Sequence, residues 1–178
     1  MKEKEVTLTR KKTTPFTVNY PIDGRIKKYI WLGTKGSLKN KKNVPFEVFE
    51  WLSMYTSTLI EGDLILEKSD DIEVNHIREN IEGIDKIEDI ILTKDEIIEI
   101  FKTGNHLSLK SKLKTLTDGR TDSIAKNQKR YIVGIAKEIG IDSNSKRKVL
   151  CEWAGIDYEN SDLLFDSNIR KEYGDSKK

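Results

Sequence analysis

Residues 28–36 read Lys28-Tyr29-Ile30-Trp31-Leu32-Gly33-Thr34-Lys35-Gly36, and Val44-Pro45 follow shortly, ahead of Val48, Trp51, Leu52 and Tyr55. The first stretch is rich in strand-forming residues and stops at a glycine. The second opens on a proline, which suits the first turn of a helix because an N–H is not needed there. Its apolar residues then recur at helical spacing and define one buried face. Between them, residues 33–43 form a polar, basic loop. The pattern predicts a strand, a loop and a single helix.

Upstream, Phe16-Thr17-Val18-Asn19-Tyr20 alternates as a half-buried strand does, and Pro21 to Gly24 supply turn chemistry. Downstream, the helix gives out in Thr56-Ser57-Thr58, and Leu64-Ile65-Leu66 reads as a closing strand after Gly62-Asp63. Residues 14–68 are therefore expected to form a small β-rich module with one helix, preceded by a basic arm at 1–13.

The rest of the chain changes character. Residues 69–91 read as an acidic connector, in which Ser69, Asp70 and Asp71 can cap a helix running through Ile72 and Ile77 toward Ile81, with Gly83 as the interruption. The end of this segment is either a continuation or a short strand at Ile90-Ile91-Leu92. Residues 92–157 are expected to be helical. Thr93 and Glu96 form a capping-box pattern before Ile97, Ile98 and Phe101, and Gly104 stops that helix. Leu107, Leu109, Leu113 and Leu116 mark a second helix. Ile124, Tyr131, Ile132, Ile135 and Ile139 lie on one stripe of a third, stopped by Gly140. Asp142 or Ser143 can cap a last helix carrying Val149, Leu150, Trp153 and Ala154. Residues 158–178 read as a polar tail, broken by Leu163, Leu164 and Phe165. The fold class is α+β: a small β-rich N-terminal module with one helix, followed by a C-terminal all-helical bundle.

Composition narrows the function classes. The chain has 178 residues, of which 36% are hydrophobic and 35% charged, enough apolar material for a core. No apolar run approaches the roughly 20 residues a membrane span requires. The opening MKEKEVTLTRKK has no apolar stretch behind its charges, so it does not read as a secretory signal. One cysteine, Cys151, fits a reducing compartment. The net charge of +2 conceals blocks of +7 over residues 1–60, −10 over 61–101 and +5 over 102–178. Such blocks favour docking on complementary surfaces, copies of the same chain included, and permit nucleic-acid contact.

Catalytic and metal-binding patterns are thin. His76 lies in an acidic helical stretch and His106 in a loop after Gly104, and both read as surface histidines. Cys151, between Leu150 and Trp153, reads as a small buried hydrophobe. One Cys and two separated His cannot build a zinc site of the usual kind, and the acidic block lacks calcium-loop spacing. Gly33-Thr34-Lys35-Gly36 lacks the Gly-Lys-Ser/Thr ending of a phosphate loop and reads as a turn. No cofactor and no catalytic residue is expected.

Residues 135–150, Ile-Ala-Lys-Glu-Ile-Gly-Ile-Asp-Ser-Asn-Ser-Lys-Arg-Lys-Val-Leu, resemble a helix-turn-helix. In that reading Lys146, Arg147 and Lys148 meet phosphates, with Asn144 and Ser145 near base edges. Lys146 occupies a position that such motifs fill with Val or Ile. An ammonium buried there without a partner would cost several kcal/mol, so a solvent-facing Lys146 favours DNA reading and a wedged one opposes it. The alternative is an ordinary pair of packed helices with a basic face.

As a whole the chain resembles small structural and morphogenesis proteins of tailed bacteriophages. The resemblance rests on Tyr29 to Gly36 with Val44-Pro45, the Trp51-Leu52 helix and Gly62-Asp63-Leu64, and on Leu92-Thr93-Lys94-Asp95-Glu96-Ile97-Ile98. It implies a non-catalytic virion or assembly protein, located in the virion or the host cytoplasm. Its partners would be other virion proteins or copies of itself, with DNA as a second possibility and no membrane. Trp31, Trp51 and the loop lysines Lys35, Lys39, Lys41 and Lys42 are the candidate protein contacts. Core packing is the competing role for the tryptophans.

Overall fold

The computed structural model describes residues 4–36 and 38–159. The chain divides into two compact units, Met1–Asp95 and Glu96–Lys178. The class is α+β, with the strands in the first unit and the second helical.

The first unit is organised around β1 (Glu5–Arg10). It lies between β4 (Asn40–Pro45) and β5 (Ile65–Leu66) and is antiparallel to both. Val6 pairs with Val44 and Leu8 with Lys42 on one side, and Thr9 with Ile65 on the other. The segment expected to be a basic arm thus supplies the central strand of a sheet. Its Val6/Leu8 alternation is short and sits among charges, which obscured the period of two. The loop expected over 33–43 is likewise shorter, because Asn40 to Asn43 pair with β1.

β2 (Phe16–Ile22) and β3 (Arg25–Trp31) form a separate hairpin. Asp23 and Gly24 both have positive φ, 47° and 70°, as a two-residue loop matched to strand twist requires. After β3, Gly33 crosses so close to the backbone that a Cβ there would lie 1.8 Å from the Thr13 carbonyl oxygen. Thr34 fixes the crossing, its hydroxyl donating to the carbonyls of Lys11 and Lys12 at 2.9 and 3.1 Å.

Helix α1 (Phe46–Tyr55) packs on β1 and β4 through Val48, Phe49 and Leu52. Phe49, rather than Tyr55, takes the inward position, and Tyr55 is exposed. At the end of β1, Arg10 is buried with its guanidinium hydrogen-bonded. Its guanidinium donates to the Asp63 carboxylate at 2.9 Å, the Asp63 carbonyl at 2.7 Å, the Thr14 carbonyl at 3.0 Å and the Thr14 hydroxyl at 2.8 Å.

The acidic stretch folds into α2 (Ile72–Glu79) and α3 (Ile84–Ile90). Asp71 caps α2, accepting from the N–H groups of Glu73 and Val74. Val74, Ile81 and Ile84 join the same core as Trp31 and Leu52, so the segment is packed into the module rather than merely connecting it. Arg78 bridges the two helices, 2.7 Å from both Asp85 and Glu88. No strand forms at Ile90-Ile91-Leu92. The Ile91 N–H donates to the Ile87 carbonyl at 3.1 Å as a helical turn requires, and both side chains are buried together with Ile65.

The second unit contains α4 (Lys94–Lys102), α5 (His106–Thr115), α6 (Asp122–Ile139) and α7 (Asn144–Ala154), although α4 begins at the last two residues of the first. α7 packs on α5 and α6, with Leu109, Leu113, Val149 and Leu150 buried. Asn105 caps α5, so His106 opens a helix instead of lying in a loop, and Leu107 faces outward. The buried stripe of α6 includes Gln128 and Val133, while Ile124, Tyr131 and Ile139 are only half-buried. Leu163, Leu164, Phe165 and the tail from residue 160 lie outside the described residues.

Candidate functional site

The hairpin register sorts its side chains into two faces. Phe16 pairs with Trp31 and Val18 with Tyr29, and these turn toward the core of the first unit. Thr17 pairs with Ile30, Asn19 with Lys28 and Pro21 with Ile26, and these turn outward. On that outer face Ile26 is 66% exposed and Ile30 47%, and Leu32, just past the strand, is 66% exposed. Lys28 lies between the two isoleucines on the same face, and Arg25 is exposed beside the turn. A soluble surface tolerates scattered apolar residues, whereas three large ones grouped on one strand and its extension, with Lys28 among them and Arg25 beside them, form a patch suited to contact.

Trp31, named as a contact from the sequence, is wholly buried. Its indole N–H donates to the Leu8 carbonyl at 3.0 Å, tying the hairpin to β1. Because strand side chains alternate, the outward-facing residues are its neighbours Ile30 and Leu32. Trp51 is half-buried and packs edge-on against Tyr20 at 5.7 Å, on the inner side of the hairpin. Its neighbours Met54 and Tyr55 are the exposed large hydrophobic residues of that helix.

The lysines divide. Lys35 and Lys39 are exposed in the loop. Lys41 and Lys42 belong to β4. Lys41 bridges to Glu67 at 3.0 Å, and Lys42 lies over the Trp31 ring at 5.8 Å. The Thr9 hydroxyl donates to Glu67 at 2.6 Å and, with Lys41, holds the Glu67 carboxyl below its ordinary value. Lys4 and the N–H groups of the α2 cap do the same for Asp71.

In α7, Asn144, Ser145 and Lys148 are exposed. Lys146 is half-buried and its ammonium donates to the Phe101 carbonyl at 2.7 Å. Arg147 donates through Nε to the Ile141 carbonyl. Two of the three cations expected on phosphates are thus engaged by backbone carbonyls, and the wedged Lys146 opposes the DNA-reading arrangement.

His76 and His106 are exposed, and Cys151 is buried within α7. Among the described residues no three His, Cys, Asp or Glu side chains converge as metal ligands would, and no helix is long and apolar enough to cross a membrane.

The arrangement defines a two-unit α+β protein with an exposed apolar hairpin face on the first unit. Residues 4–83 match the family model described as the YonA N-terminal domain, and residues 93–160 match the YonA C-terminal domain. Together the two matches take in most of the chain, and the chain belongs to the YonA family. The first match spans β1 and α2, as their packing into one core would require. The family name is of the phage type, pointing to a phage-related protein. No curated protein and no solved structure matches the chain.

Proposed function

We propose that this chain is a non-catalytic bacteriophage protein of the virion or its assembly, and that it works by binding another protein through the outer face of the β2–β3 hairpin. The observation that carries the reading is the exposure of Ile26, Ile30 and Leu32 together on one strand and its extension. Burying three such side chains contributes roughly 1.5–3 kcal/mol each before the costs of association. Lys28 between the isoleucines and Arg25 beside the turn favour a partner whose apolar patch carries carboxylates, since complementary charges set orientation and encounter rate. The phage-type family name supports the bacteriophage part of the reading.

The test is a photo-crosslinking amino acid placed at Ile30, with the same residue at exposed Glu47 as control, in phage-infected cells. A single discrete adduct from position 30 that position 47 does not give, identified as a phage protein, is the expected result. Equal adducts from both positions, or none from position 30, overturn the reading.

A further inference from the structure

The second unit holds a groove of about 570 Å³ along α6, closed on one side by Ala154 and Ile156. Its floor includes Ala125, Val133 and Gly134, and Lys126, Lys129, Arg130 and Lys137 stand along it against a single carboxylate, Asp122. Lys129 lies over the Trp153 ring at 5.5 Å, while Lys126, Arg130 and Lys137 make no ion pair among the described residues. The groove is therefore apolar at its base and carries uncompensated positive charge along its length.

Gly134 gives independent support. It lies within the longest helix, where glycine costs about 1 kcal/mol relative to alanine. Nothing in its described surroundings demands it: its φ is not left-handed, and an added Cβ would meet no atom of the described residues within 4 Å. The bare backbone leaves space at the groove floor, among the described residues, for a close approach.

We propose that this groove receives an acidic amphipathic helix of a partner protein. Apolar side chains would lie over Ala125, Val133 and Gly134, and Asp or Glu residues would meet Lys126, Arg130 and Lys137. From Asp122 to Lys137 the helix runs about 22 Å at 1.5 Å per residue, the length of a partner helix of four turns. A nucleic acid would bring negative charge too, but none of the lining residues is aromatic, so the groove itself offers no platform for base stacking. The proposal rests on the reading of the chain as a protein-contact protein and assigns it a second contact, separate in sequence from the hairpin.

The test selects binders to the full chain from a displayed library of random peptides about 15 residues long, the length that spans about 22 Å as a helix. The expected sequences carry apolar residues at i, i+3 and i+4 with flanking carboxylates. A labelled peptide from that set should bind at least tenfold more weakly to Gly134→Leu, whose Cβ enters open space at the groove, and to Lys126→Glu/Lys137→Glu. Ile30→Lys should bind it as the native chain does, so that failure of the hairpin contact and failure of the groove are read separately. Thermal melting of each variant confirms that it is folded. Four outcomes overturn the proposal: no acidic enrichment; peptide binding indifferent to both groove variants; binding of a labelled oligothymidylate in place of peptides and lost in Gly134→Leu; or self-association lost in that variant, which would make a second copy the occupant.

Discussion

The Lys146 ammonium donates to the backbone carbonyl of Phe101 across 2.7 Å, joining α7 to the last turn of α4. Carbonyls in that turn lack helical partners, and a cation there also meets the negative end of the helix dipole. Replacing Lys146 by Met keeps the stem and removes the donor, and should lower stability by about 1.5–3 kcal/mol, the range for hydrogen bonds to charged groups. Urea denaturation measures it. An unchanged midpoint would mean that Lys146 faces solvent in solution, and would restore the case for phosphate contact.

Asp63 is the charged partner of Arg10, which is only 3% exposed. Asp63→Ala leaves the guanidinium its bonds to Thr14 and to the backbone carbonyl of residue 63, but no carboxylate at 2.9 Å. The expected loss is about 3–5 kcal/mol, the cost of breaking a buried pair from one side. Lys12 also sits 2.8 Å from Asp63, so two cations lose their counter-charge together. A loss below about 1 kcal/mol, comparable to an exposed pair, would contradict this account.

Acid should weaken the first unit in a defined window. Glu67 and Asp71 have folded-state pKa values held below their ordinary 4.5 and 3.8, so the unfolded chain takes up protons first as pH falls. Their stabilisation is complete above those ordinary values and is lost as pH drops through the lower folded ones. Glu67→Gln should therefore cost stability at neutral pH and flatten part of the acid limb, as read from melting temperatures between neutral pH and about pH 3. An acid limb identical to that of the native chain would remove Glu67 from the account.

Two glycines should respond in opposite directions to the same substitution. Gly33→Ala drives a Cβ to 1.8 Å from the Thr13 carbonyl oxygen, a backbone atom that cannot swing aside, and should destabilise by about 3 kcal/mol or more. Gly134→Ala places a methyl in open space on a helix and should stabilise by about 1 kcal/mol. Calorimetry on the pair decides both, and a destabilising Gly134→Ala would show that the bare helix face is needed by the chain itself.

The elements that could be read from sequence are those with a long period or a strong stop. Residues 122–139 and 144–154 have both, with Gly140 and Gly155 at their ends. Strand β1 was hidden because two apolar residues among charges are too few to establish an alternation. Strand β4 was hidden because Lys41, Lys42 and Asn43 are poor strand formers, held there by pairing with β1. The exposed apolar face was missed by one residue. Tyr29-Ile30-Trp31-Leu32 shows that a strand exists but not which alternate set turns inward, and that is settled by the indole of Trp31 reaching the Leu8 carbonyl. Gln128, polar yet buried in α6, left no hydrophobic signal.

The placement of β1 also bears on synthesis. Glu5 pairs with Pro45 and Thr9 with Ile65, so β1 leaves the ribosome with no neighbour on one side until residues 40–45 appear, and none on the other until Ile65 and Leu66 follow. Val6 and Leu8 must wait uncovered through that interval, an arrangement of distant pairings that slows folding and exposes a strand edge to other chains. Such a sheet favours steady, uninterrupted translation through the first unit. Deleting the opening dozen residues would remove the centre of the sheet rather than trim a loose end.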